Sequence, residues 1–265
     1  MSSRRFLLPW AALAALLTAP ALPAHEIWFE RERGEMVLVY GDFGVNMRER
    51  TPGGNDRFGQ LTARHLGGQF DVEVPLTPQP DHFSGVPTPR AGESLVAWDD
   101  YYRIFDELHD GKRVRSRWIV AARYVPDLAV RAPRLALDVV PTGRLDGDRI
   151  ELQVWFNGEP LPEATVLLYA ASGWRLEQQA DEEGRVWFSL PWKGLYAATV
   201  LRYIDATPGE RRSEPVPGNP LRARPSETAT ERYDRTSHTT TLTFYQSRGL
   251  RALPKPPPTL PASML

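Results

Sequence analysis

Five histidines (His25, His65, His82, His109 and His238) and no cysteine bound the chemistry open to this chain. Without thiolates there is no disulfide, no cysteine nucleophile and no sulfur-rich metal site. A transition-metal site would have to draw on imidazole and carboxylate. His25 stands out by position. It follows the small and turn-forming residues Ala19-Pro20-Ala21-Leu22-Pro23-Ala24 and opens the stretch His25-Glu26-Ile27-Trp28-Phe29-Glu30. Cleavage after Ala24 would make it the first residue, and its α-amine and one ring nitrogen would then reach the same cation. Both are nitrogen donors suited to copper, nickel, cobalt or zinc. An α-amine, with a pKa of roughly 7.7–8.0, gives up its proton to a metal at little cost.

That chemistry needs an export signal over residues 1–24. Ser3-Arg4-Arg5 supplies a basic start, and Phe6 to Leu17 an apolar run too short to span a bilayer stably. Ala19-x-Ala21 offers a competing cut, which would leave Leu22-Pro23-Ala24 ahead of His25 and remove the amine as a ligand. Arg4-Arg5 partly matches a twin-arginine signal, although ordinary signals carry such pairs too. The implied location is the periplasm. Arg4 and Arg5 are two of the 32 basic residues and none of the 33 acids precedes His25, so the exported chain carries about −3. That balance provides no basic face for nucleic acid. No second apolar run approaches the roughly 20 residues of a membrane-spanning helix.

The elements that would hold these residues are strands. The exported part reads as all-β, two β-sandwich-like domains with at most one short helix: residues 25–141, residues 142–248 and a proline-rich tail over 249–265. Ile27 and Phe29 alternate with Trp28 and Glu30, so His25 falls on the side of Ile27 and Phe29. The segment Asp99 to His109 reads as the one helix, ended by Asp110-Gly111. Ile150 to Phe156 alternates cleanly, and Trp174 to Gln178 pairs with Val186 to Leu190 across Asp181-Glu182-Glu183-Gly184. Thr207 to Thr236 is long, polar and proline-dotted, an unstructured loop by composition. Leu253 to Leu265, with Pro254-Lys255-Pro256-Pro257-Pro258, reads as an unpacked extended tail.

Three features together resemble a family of bacterial periplasmic proteins of unassigned domain type, often described as the periplasmic component of nickel or cobalt uptake. One is the signal running into Ala24-His25-Glu26-Ile27-Trp28-Phe29-Glu30. The second is Asn157-Gly158-Glu159-Pro160-Leu161 with Ala164-Thr165-Val166, then Asp181-Glu182-Glu183-Gly184-Arg185-Val186-Trp187-Phe188 and Gly194-Leu195-Tyr196. That pattern is similar to transthyretin-like and carboxypeptidase-regulatory-like sandwiches and speaks for fold rather than function. The third is the closing strand Ser237-His238-Thr239-Thr240-Thr241-Leu242-Thr243-Phe244. The resemblance implies metal handling, with a membrane or outer-membrane metal transporter as partner.

His238 shares a strand face with Thr240, Leu242 and Phe244. It would be a third donor if it met His25 where the two domains abut, or an edge histidine bonded to backbone if it did not. His109 lies beside Asp106, Glu107 and Asp110, with the density of a metal cluster or of a solvated helix end. His82 after Asp81 and His65 carry weaker signals, and Glu26 and Asp42 are further oxygen donors or plain surface acids. The metal candidates are therefore His25, His238 and His109. Hydrolase, metalloprotease and phosphate-loop motifs are absent. The pair Asp99-Asp100 points two ways and gives no glycosidase geometry. Trp155, Trp174, Trp187 and Trp192 would serve a sugar platform or simple packing. The expected function is a periplasmic carrier for nickel, cobalt or copper. A copper-dependent oxidative enzyme with a histidine brace and a structural or carbohydrate-binding β module are the alternatives.

Overall fold

The computed structural model describes residues 25–213 and 229–261. The expected signal at 1–24, with its cleavage site, lies outside the described residues. The first half contributes β1 (Glu26–Glu32), β2 (Glu35–Asp42), β3 (Met47–Arg48), β4 (Thr62–Leu66), β5 (Asp71–Glu73), β6 (Thr77–Pro78), β7 (Phe83–Val86), β8 (Ser94–Asp99), β9 (Phe105–His109) and β10 (Lys112–Val125). The second half contributes β11 (Leu137–Asp146), β12 (Arg149–Phe156), β13 (Glu159–Pro160), β14 (Thr165–Ala170) and β15 (Arg175–Gln179). It continues with β16 (Arg185–Ser189), β17 (Gly194–Asp205), β18 (Gly209–Ser213), β19 (Ala229–Tyr233) and β20 (Arg235–Gln246). The fold is all-β and sandwich-like. Among the described residues the helical elements are two short turns, Phe43–Val45 and Gly54–Arg57, and no helix is long and apolar enough to cross a membrane.

One long sheet joins the two halves, in the order β15-β14-β17-β20-β10-β8-β4-β5. Its middle pair is parallel, with Ile119 opposite His238 and Val120 opposite Thr239. The β1-β2-β7-β6 sheet covers one part of it. Ile27, Phe29, Leu38 and Tyr40 pack there against Leu95, Val120 and Ala122. The β11-β12-β16 layer covers another part, burying Val139, Leu152, Val154 and Phe188 against Val166, Ala198, Leu242 and Phe244. Each large apolar side chain so buried contributes about 1.5–3 kcal/mol, and these two cores hold the layers together.

Because β20 is buried on both faces, its alternation sorts side chains between the cores. Leu242 and Phe244 enter the second core. Thr241 and Thr243 turn the other way, to the Glu26 carboxylate and the Phe29 carbonyl of β1.

Three expectations change. The segment Asp99 to His109 is not a helix: Asp99 ends β8, and Phe105–His109 pairs antiparallel with Lys112 to Ser116. Asp110-Gly111 is the two-residue turn of that hairpin, with φ of 50° and 74°. Asp-Gly favours such a turn at least as strongly as a helix stop. The ends of the polar stretch 207–236 are also ordered. β18 and β19 form a two-stranded ribbon, while 214–228 lies outside the described residues.

The tail is the third correction, because it docks. The Leu250 amide donates to Pro191 O (2.8 Å), and the Lys193 amide donates to Leu250 O (2.9 Å). Further along, Asn46 Nδ2 donates to Pro256 O, and Arg48 and Thr259 exchange backbone bonds with Thr259 and Asn46. Lys255 Nζ reaches both oxygens of buried Glu30, which also pairs with Arg48. Proline keeps this segment extended, and polar groups on β1 and beside β3 give it partners.

Candidate functional site

His25 stands at the mouth of β1, on the side of Ile27 and Phe29 as the alternation requires. Its ring lies 5.3 Å from that of Tyr40 on β2. Its Nε2 lies 2.7 Å from Glu49 Oε1, and the Glu49 side chain is only 4% exposed. Two local features place that carboxylate. The Glu49 amide donates to Tyr40 O at 2.8 Å, which ties the residue to β2 just past β3. Gly54 leaves room for the side chain, since a Cβ there would stand 2.1 Å from Glu49 Oε2.

Two more carboxyls lie close by. Glu26 is buried, accepting from the Phe43 amide (3.1 Å) and the Thr241 hydroxyl (2.9 Å). Burial pushes its pKa up to about 7, partly offset by the hydrogen bonds from Thr241, Phe43 and Thr199, while Asp42 adds to the rise. Asp42 ends β2. Its pKa is raised chiefly by burial, against the hydrogen bonds from Val45 and Gly44 and the favourable charge of His25. One imidazole and three carboxyls thus gather around the start of β1.

The donor set fits one kind of metal site and not another. Among the described residues no three His, Asp or Glu side chains form a cage ready for a cation. A histidine held by a carboxylate at Nε2 is, however, the usual way a ligating imidazole is oriented. The other ring nitrogen, Nδ1, is the one that closes a six-membered chelate with the residue's own main-chain nitrogen. His25 with its amine supplies two nitrogens, Glu49 fixes the ring, and Asp42 adds negative charge beside it.

The other histidines are dispersed. His238 does not meet His25. It shares the face of Leu242 and Phe244, whereas the β1 end touches β20 through Thr241 on the opposite face. His238 is 4% exposed, with Phe156 at 5.1 Å and Tyr203 at 6.3 Å between ring centres. Its Nδ1 has no hydrogen-bond partner among the described residues. Burial lowers its pKa to about 4, against the pull of Asp205 and with the help of Arg117. His109 is well exposed at the end of β9, 3.7 Å from Asp110. The acids expected around it are engaged elsewhere, Asp106 with Arg113 and Glu107 with Ser116, Arg202 and Arg235. A strand turns neighbouring residues to opposite faces, so the dense run of acids forms no cluster. His65 pairs with Glu93, and His82 with Asp81. Of the tryptophans considered for a sugar platform, Trp174 packs edge-on to Trp192, and Trp187 lies under Arg144 and Arg149.

Glu49 escaped sequence reasoning because it sits in a polar stretch 24 residues from His25, with nothing local to mark it. The only signal was the turn-rich run after it, Thr51-Pro52-Gly53-Gly54, which folds its side chain back. Compared with protein-family models, with curated proteins and with solved structures, the chain finds no match.

Proposed function

We propose that the exported protein begins at His25 and binds one divalent transition metal, nickel, cobalt or copper, through the His25 α-amine and Nδ1. It acts as a periplasmic carrier that hands metal to an uptake system and catalyses no reaction. The observation that carries this reading is the 2.7 Å contact between His25 Nε2 and the buried Glu49 carboxylate. A carboxylate on that nitrogen holds the imidazole in the tautomer and orientation needed for Nδ1 to face a cation. Asp42 supports the same reading by placing negative charge beside a site for a positive ion. The resemblance to periplasmic nickel and cobalt uptake proteins points the same way.

The histidine expected as third donor, His238, lies on the far face of β20, so the remaining positions fall to carboxylate oxygen and water. Such a mixed and open coordination suits a carrier that must release its cargo. The test is a competition titration with nickel, cobalt and copper against a chromogenic chelator. Glu49→Gln is expected to weaken binding by about 10–100-fold and His25→Ala by more. Wild-type affinity in both variants would overturn the proposal.

A further inference from the structure

A second site lies behind His238. Its ring forms part of the wall of a cavity of about 190 Å³ between the long sheet and the β10–β11 connection, with Trp98, Ile119, Leu135, Leu137 and Arg134 around it. The imidazole is buried and uncharged, with Nδ1 unpartnered, and Thr240 Oγ1 on the same strand face is unpartnered as well. Of the two residues His238 lines the cavity, and an orphaned polar atom on such a buried ring calls for a ligand or ordered water.

The charges at the rim indicate the ligand. Asp100 is already engaged by Arg117, whose Nη2 lies 3.1 Å from the Asp100 carbonyl and 3.5 Å from its carboxylate. Asp205, which acts on the imidazole from β17, accepts from the Thr207 amide and does not line the cavity. The Arg134 main-chain amide donates to Asp138, but its exposed guanidinium makes no hydrogen bond or ion pair with a described residue. The lining holds an uncommitted guanidinium, a neutral imidazole, the Asp100 carboxyl engaged by Arg117 and an apolar wall closed by Trp98. A cavity of roughly 150 Å³ holds benzene, so the space suits one small ring or short chain.

We propose that this cavity binds a small organic monocarboxylate with an apolar body. Its carboxylate pairs with Arg134 and accepts from the N–H of neutral His238, and its body lies against Trp98 and Leu135. The site is independent of the metal reading, since it lies on the other face of β20 from Glu26.

The test uses the full chain with ¹⁵N-labelled histidine and follows the His238 ring by long-range ¹H–¹⁵N correlation while benzoate is titrated. The expected result is a saturable shift at His238. Arg134→Gln weakens it at least tenfold, because a charge-assisted hydrogen bond is lost, and benzyl alcohol, of similar shape without the charge, binds at least tenfold more weakly. A His238 signal unmoved by tens of millimolar benzoate would mean that water alone fills the cavity, and equal affinity in Arg134→Gln would mean that the ring recognises no carboxylate. Either result overturns the proposal.

Discussion

Thr241 Oγ1 donates to Glu26 Oε2 at 2.9 Å, joining residues 215 positions apart. The bond pins the first strand to the last, and it gives a buried acid one of its few partners. Thr241 also approaches Thr199 Oγ1 at 3.3 Å, so β1, β20 and β17 meet at one polar point inside an apolar interior.

Thr241→Val keeps the side-chain shape and removes that donor. The buried carboxyl would be left short of a partner, at a cost of about 1–3 kcal/mol. Urea unfolding of the metal-free protein is expected to show a lower midpoint with an unchanged slope. An unaltered midpoint would mean that the hydroxyl contributes nothing to the joint.

Gly54→Ala tests how the site is shaped. The added methyl would occupy the place of the Glu49 carboxylate, the far end of a movable side chain, which must swing away from His25. The fold should survive, and metal affinity should fall about tenfold, towards that of Glu49→Gln. Wild-type affinity together with a crystal structure showing Glu49 still on His25 would contradict this.

His238 sets the acid limb of stability. Its folded pKa of about 4 lies below the ordinary 6.5, so the unfolded chain binds the extra proton first. The stability it contributes is complete above pH 6.5 and is lost as pH falls from 6.5 to 4, about 3 kcal/mol in all. Glu26 works with the opposite sign: its raised pKa favours the folded state at low pH, and that share is lost as pH rises through about 7. The difference between wild type and His238→Gln therefore isolates the imidazole. That difference is expected to narrow from pH 7 to pH 4, and a constant gap would show that the ring does not titrate as described.

Deleting the chain from Lys255 onward removes the ammonium from Glu30 and the backbone bonds at Asn46 and Arg48. Hydrogen exchange at the Arg48 amide is expected to speed up at least tenfold, while amides of β10 and β20 keep their protection. Unchanged exchange at Arg48 would show that the tail is not clamped to β3.

The strands of the second half were legible because Ile150, Leu152 and Val154 alternate with more polar residues, and burial follows that period except at Glu151, which is buried as well. The joining of both halves in one sheet was not legible. It rests on Ile119 facing His238, a pairing between distant segments that no local pattern encodes. Asp110-Gly111 is compatible with a helix stop as well as with a hairpin turn, and the partners of the tail, among them Glu30, Asn46, Arg48 and Pro191, lie far from it in sequence. At the site, the type and position of His25 were legible, whereas Glu49 depends on a turn that brings its carboxylate back onto the ring.

The most direct measurement compares metal affinity in two purified proteins, one beginning at His25 and one carrying Ala24 ahead of it, each start checked by intact mass. The added residue converts the amine into an amide and leaves every side chain in place. The chain starting at His25 is expected to bind nickel or copper at least 100-fold more tightly, and its mass is the one expected after export. Equal affinity in the two proteins, or an exported chain that begins at Leu22, would contradict it.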